Sequence, residues 1–166
     1  MSEIGGFDKA NLITHFQVKE IHDNMMYVPF PYTEKDAADL IDLFVAETRV
    51  IGFPVSFAIR REDGKLIGGI WLYDYNRNEG HQAEISYWLA KQYWGRGIMT
   101  DAVKSFAKYI FDNLEVVRLT AHVFHFNQSS ARVLEKAGFQ LEGLLRNHYC
   151  KDGKIFDGKL YARIPS

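Results

Sequence analysis

Near the middle of the chain the run Gln92-Tyr93-Trp94-Gly95-Arg96-Gly97 stands between a stretch of β-formers and a stretch with helical spacing. A strand that ends in a Gly-X-Gly turn opening a helix aims several backbone N–H groups at one point, where the helix dipole also favours negative charge. The chemistry of such a turn is the cradling of a diphosphate. Glycine serves there because a β-carbon would obstruct both the tight backbone and the approaching oxygens. Arg96 adds a cation at the rim. An isolated Gly-X-Gly equally serves as a plain connection, so its neighbours decide. Two other phosphate patterns fail: a dinucleotide turn needs a third glycine where Thr100 stands, and Gly-Lys-Ser/Thr occurs nowhere. Neither nicotinamide binding nor nucleotide hydrolysis is supported.

The elements that must position this turn follow from periodicity. Residues 83–90 alternate, with Ala83, Ile85, Tyr87 and Leu89 on one face and Glu84, Ser86, Trp88 and Ala90 on the other, and so read as a strand. After the turn, Met99, Ala102, Val103, Phe106 and Ile110 recur at helical spacing. Residues 117–126 read as a strand, and Asn127 caps a short helix that Gly138 stops. Upstream, residues 12–26 have loose helical spacing, and Thr33 caps a clearer helix over 33–49. Strands over 55–60 and 66–73 flank the Asp63-Gly64 turn. Strands over 139–149 and 155–164 flank Lys151-Asp152-Gly153-Lys154. The order α-α-β-β-β-α-β-α-β-β predicts an α/β (α+β) fold, a mixed sheet with helices on its faces.

No repeat or linker divides the 166 residues, so a single domain over 1–166 is expected. Hydrophobic residues make up 47% and charged residues 25%, and formal net charge is −1. That balance lacks the positive field of a general nucleic-acid binder. Cys150 is the only cysteine, so no intrachain disulfide or cysteine-rich zinc site is expected. No signal-peptide or membrane-spanning pattern occurs, and the chain reads as cytoplasmic. His122 and His125, three apart on one strand, point to opposite faces, which argues against a shared metal, and no metal is expected. His122 reads either as a base or substrate contact or as a hydrogen-bonded structural residue.

Gln92, Gly95 and Gly97 match the Gln/Arg-X-X-Gly-X-Gly/Ala motif, and the segment resembles the central motif of the GNAT acetyltransferases. Two further stretches, Asn127-Gln128-Ser129-Ser130-Ala131-Arg132-Val133-Leu134-Glu135-Lys136-Ala137-Gly138-Phe139 and Glu84-Ile85-Ser86-Tyr87-Trp88-Leu89, look like signatures of the ribosomal-protein-alanine acetyltransferase branch, as do Arg146, Gly153 and Asp157. The similarity covers residues 32–164. It implies the GNAT acyl-CoA N-acyltransferase fold, a mixed, mostly antiparallel twisted sheet with helices on both faces. It also implies transfer of the acetyl group of acetyl-CoA to a primary amine by direct attack in a ternary complex.

The resemblance assigns roles. The strands at 83–90 and 117–126 would splay apart, with the pantetheine arm on the backbone of Trp88, Leu89 and Ala90. The diphosphate would sit over Gln92, Trp94, Gly95, Arg96 and Gly97 and the first helical turn through Met99 and Thr100. Asn127, Ser130 and Arg132 would reach coenzyme A from the other side; as plain structure, Asn127 is a helix cap and Ser130 a helix-face residue. Amine acetylation needs a proton acceptor, an oxyanion donor and a proton source for the thiolate. Glu84 would accept the proton through a water, the Leu89 N–H would face the oxyanion, and Ser130 or Tyr149 would protonate the thiolate. His148 and Asp157 would border the acceptor pocket.

Members of this branch usually begin with an extra strand, for which residues 1–9 are too short and too poor in β-formers. A bare sheet edge, one covered by helices or by the partner of a homodimer, or a shortened chain is the expectation. The acceptor is a protein N-terminus or a small-molecule amine. The competing function is a non-catalytic acyl-CoA binding or sensing domain; nucleic acid and membrane are not expected partners.

Overall fold

Alternation and helical spacing resolve, in a computed structural model that describes residues 1–75 and 80–165, into twelve strands and α-helices among the described residues. They run β1 (Ser2–Glu3), α1 (Lys9–Phe16), α2 (Lys19–Asn24), α3 (Glu34–Ile51), β2 (Ser56–Arg60), β3 (Leu66–Tyr73), β4 (Gln82–Leu89), α4 (Ile98–Asn113), β5 (Arg118–Phe124), α5 (Gln128–Lys136), β6 (Gln140–Lys151) and β7 (Lys154–Arg163). The strands form one mixed, mostly antiparallel sheet in the order β1-β2-β3-β4-β5-β7-β6. β4 and β5 pair in parallel. Packing divides the chain into two units, Met1–Trp71 with Tyr87–Arg96, and Leu72–Ser86 with the chain from Gly97 onward.

In the first unit Thr33 caps α3, accepting from the Asp36 N–H while the Asp36 carboxylate accepts from the Thr33 N–H. Ala37, Ile41 and Phe44 turn inward from α3 to join Leu12, Phe16 and Trp88 in the core. The single helix expected over 12–26 is instead α1 and α2. In one straight helix Phe16 and Ile21 would lie roughly 140° apart around the axis. The break at Gln17-Val18 lets both enter the same core, and the Gln17 amide donates to the Tyr32 carbonyl at 2.6 Å. The N-terminal strand expected to be missing is present as β1, with Ser2 opposite Ala58 and Glu3 opposite Phe57 on β2. Buried Asp8 anchors this end: its carboxylate receives both Arg60 Nη groups, at 2.6 and 2.8 Å, and the Gly5 N–H at 3.0 Å.

In the second unit β4 and β5 run parallel, so the chain needs a crossover, and α4 supplies it. Val103, Phe106, Ala107 and Ile110 of α4 are fully buried. Asn127 caps α5 through Oδ1, which accepts the Ser130 N–H at 3.1 Å. The α5 core face is Ala131, Leu134 and Ala137, with Ser130 and Val133 half-buried. β6 and β7 form a hairpin whose register shifts between Leu145 and Tyr149. In that shift Asn147 takes φ 51 and its N–H donates to the Asp157 carboxylate at 2.8 Å.

Candidate active site

The turn after β4 is held from within the first unit. Residues 91–93 form a 3-10 turn, and the Trp94 indole N–H donates to the Leu89 carbonyl at 2.7 Å. The Arg96 guanidinium lies 5.6 Å over the Tyr93 ring. Gly95 and Gly97 have φ of 74° and 80°, a backbone that L side chains rarely adopt. Both are exposed, and a Cβ on either would meet nothing within 4 Å. Gly97 is the N-cap of α4 and offers no side-chain cap. The first amides of a helix have no intrahelical acceptor. A capless helix start beside open space fits an anionic group such as a diphosphate. Asp101, exposed on the same first turn, shares the dipole. Gln92 is exposed, Met99 buried and Thr100 half-buried.

At the end of β4 the Trp88 side chain is buried, 4.8 Å edge-on to Phe16, leaving only its backbone for a ligand. A Cβ on Gly68 would lie 2.7 Å from the Trp88 carbonyl oxygen, and one on Gly69 would lie 2.9 Å from the Trp88 indole nitrogen. Those two glycines therefore set how closely β3 and β4 approach. Of the backbone groups assigned to the pantetheine arm, several have protein partners. The Ala90 N–H donates to Ile67, the Ala90 carbonyl accepts from Tyr93, and the Leu89 carbonyl accepts from Trp94. Since Ala90 points its amide at β3, strand alternation turns the Leu89 N–H the other way.

In the second unit Asn127 Oδ1 is engaged in the α5 cap, Ser130 is half-buried and Arg132 exposed. The last β4–β5 register partners are Glu84 and Thr120, although β4 runs on to Leu89 and β5 to Phe124. Glu84 Oε2 lies 2.9 Å from His122 Nδ1. The hydrogen bond to Glu84 raises the His122 pKa, against an opposing effect of burial, and the carboxylate charge adds to the rise. His148 stacks on His122, with centroids 5.8 Å apart and planes 16° from parallel. Tyr149 lies edge-on to Phe124 at 4.9 Å, over Gly158. Asp157 serves the β6 register shift through Asn147. His125 lies beyond β5, where its N–H donates to the Asp157 carbonyl, so the expected opposite-face pair on one strand is not formed. The Glu84–His122 pairing was within reach of parity reasoning, given a parallel register. His148 was not, because the shift between Leu145 and Tyr149 alters which way β6 residues point.

Among the described residues no cluster of His, Cys, Asp or Glu is arranged to hold a metal ion, and no helix is long and apolar enough to cross a membrane.

Residues 8–140 match the acetyltransferase (GNAT) domain family, so the chain belongs to it. A probable N-acetyltransferase, YjcK, of Bacillus subtilis is 40% identical over 100 residues, 60% of this chain and 55% of its own length. The ribosomal-protein-serine acetyltransferase of Escherichia coli is 34% identical over 115 residues, 68% of this chain and 62% of its own. The chain thus spans little more than half the length of these two relatives. Among solved structures, the ribosomal L7/L12 α-N-protein acetyltransferase RimL in complex with coenzyme A superposes with a TM-score of 0.87 at 17% identity, over 98% of this chain and 92% of that one.

Proposed function

We propose that this chain is a single-domain N-acetyltransferase that moves the acetyl group of acetyl-CoA directly onto a primary amine, in the cytoplasm. The observation that carries it is the turn at Gly95 and Gly97: two positive-φ glycines, exposed, before a helix with no side-chain cap. The relative crystallised with coenzyme A has the same fold, and the two bacterial relatives above are named as a probable N-acetyltransferase and a ribosomal-protein-serine acetyltransferase.

Bound acetyl-CoA supplies an activated acyl group. The amides of Gly95, Arg96 and Gly97 and of Met99 and Thr100 hold its diphosphate, with Gln92 and Trp94 bracing the turn and the Arg96 cation at the rim. The backbone of Trp88, Leu89 and Ala90 orients the arm, and the Leu89 N–H, turned away from β3, donates toward the carbonyl oxygen. Asn127, through its amide nitrogen, and Ser130 and Arg132 complete the contacts. Glu84 draws the proton from the acceptor amine through a water, and Ser130 passes to the departing sulfur a proton that it regains from solvent. The acceptor is a protein N-terminus or a small amine; the E. coli relative named for a ribosomal-protein serine favours the first.

Calorimetric titration with coenzyme A, followed by thiol release from acetyl-CoA over peptides with free N-termini and small amines, tests this. Binding with release is expected. Tight binding with no release on any acceptor would instead make the chain a sensor, and no binding would refute the reading.

A further inference from the structure

Glu84 is the last β4 residue in register with β5, opposite Thr120, and His122 follows two residues further along the same face of β5. The carboxylate on Nδ1 fixes the imidazole tautomer: Nδ1–H faces Glu84, and the lone pair is left on Nε2. The remaining neighbours across the strands are His148 of β6, stacked on the ring, and Leu160 of β7, its register partner. Among the described residues, Glu84 and His148 are the titratable groups in contact with it. The His122 side chain is 27% exposed, and among the described residues none hydrogen-bonds Nε2.

A partly open imidazole, oriented by a carboxylate, is built to pass protons. We infer that His122, through Nε2, takes the proton from the acceptor's ammonium group, and that Glu84 acts as the positioning residue behind it. The inference rests on the acetyltransferase reading and replaces the water between Glu84 and the amine with a side chain. The proton balance is simple. The ammonium N–H bond breaks, its electron pair stays on nitrogen as the attacking lone pair, and the proton bonds to Nε2. The imidazolium is balanced by Glu84 and releases that proton to solvent; the second N–H proton, lost as the N–C bond forms and the C–S bond breaks, replaces by way of solvent the one that Ser130 gives the thiolate. An imidazole ordinarily titrates near pH ~6.5, within the range where a general base can both accept and release a proton at neutral pH.

The test has two arms. In the first, histidine ¹⁵N resonances of the protein without cofactor are followed against pH. His122 is expected to titrate above the ordinary histidine value, because of the hydrogen bond to Glu84, and to fall in Glu84→Gln; an unmoved titration overturns the dyad. In the second, thiol release from acetyl-CoA is measured with a peptide bearing N-terminal serine, one bearing N-terminal alanine, and spermidine. His122→Gln is expected to lose about 100-fold in kcat, with the KM for acetyl-CoA within about twofold, and to lose the ascending limb of the pH profile. Glu84→Gln should keep a limb, moved to lower pH. Wild-type rate and limb in His122→Gln overturn the inference alone. Transfer by the wild type to none of the three acceptors overturns the underlying acetyltransferase reading and the inference with it.

Discussion

The indole nitrogen of Trp94 lies 2.7 Å from the carbonyl oxygen of Leu89, so a side chain from the glycine turn ties that turn back to the strand that leads into it. Along this continuous stretch lie the backbone groups proposed for the arm of coenzyme A and for its diphosphate. This hydrogen bond therefore helps to hold the geometry of both, together with those of Ala90 to Ile67 and Tyr93. Trp94→Phe keeps most of the ring and removes the donor. It is expected to cost about 1 kcal/mol of stability and to weaken coenzyme A roughly tenfold by calorimetry, because the turn loses its tie.

Gly68 faces the carbonyl of Trp88 so closely that a Cβ would stand 2.7 Å from that oxygen. The obstacle is backbone, which yields less readily than a flexible side chain. Gly68→Ala should push the end of β4 outward and lower stability by about 1–3 kcal/mol in urea denaturation. Coenzyme A affinity should fall too, since Trp88 and Leu89 move.

Much of the candidate site was legible because its signals are local. Positive φ at Gly95 and Gly97, the Asn127 cap of α5 and the alternation of β4 are each written within a few residues. Long-range partners were not. That Leu89 already serves Trp94, that Ala90 already serves Ile67 and Tyr93, and that His148 stacks on His122 depend on register and on a bulge, which a single sequence does not encode locally. The break between α1 and α2 was missed because loose helical spacing continues across it, while the core decides the direction. β1 was missed because a two-residue strand carries no period.

The Glu84–His122 pair makes a signed prediction for stability. Its hydrogen bond raises the folded-state pKa of His122, so between the ordinary histidine value and that raised value the folded protein binds more protons than the unfolded chain. The stabilisation is then fully present below the unfolded pKa of about 6.5 and is lost as pH rises through the folded pKa. Glu84→Gln should therefore lower the melting temperature more at pH 6 than at pH 9. Equal losses at the two values would contradict the coupling.

Asp8 and Arg60 form the buried ion pair of the first unit, the aspartate being 1% exposed. Arg60→Met strands a buried carboxylate and is expected to cost about 3 kcal/mol, read from the denaturation midpoint. Adding Asp8→Leu should recover much of that loss, because the penalty belongs to the unpaired charge. A second mutation that only added to the loss would show that the pair itself was net stabilising.

Coenzyme A titrated calorimetrically into wild type, Gly95→Asn and Gly95→Glu tests the placement of the diphosphate most directly. Asn tolerates the left-handed backbone at φ 74, whereas Glu fills and charges the open space before α4. The expected result is affinity kept within a few-fold in Gly95→Asn and lost in a Gly95→Glu protein that still melts cooperatively. Unchanged affinity in folded Gly95→Glu would contradict the placement.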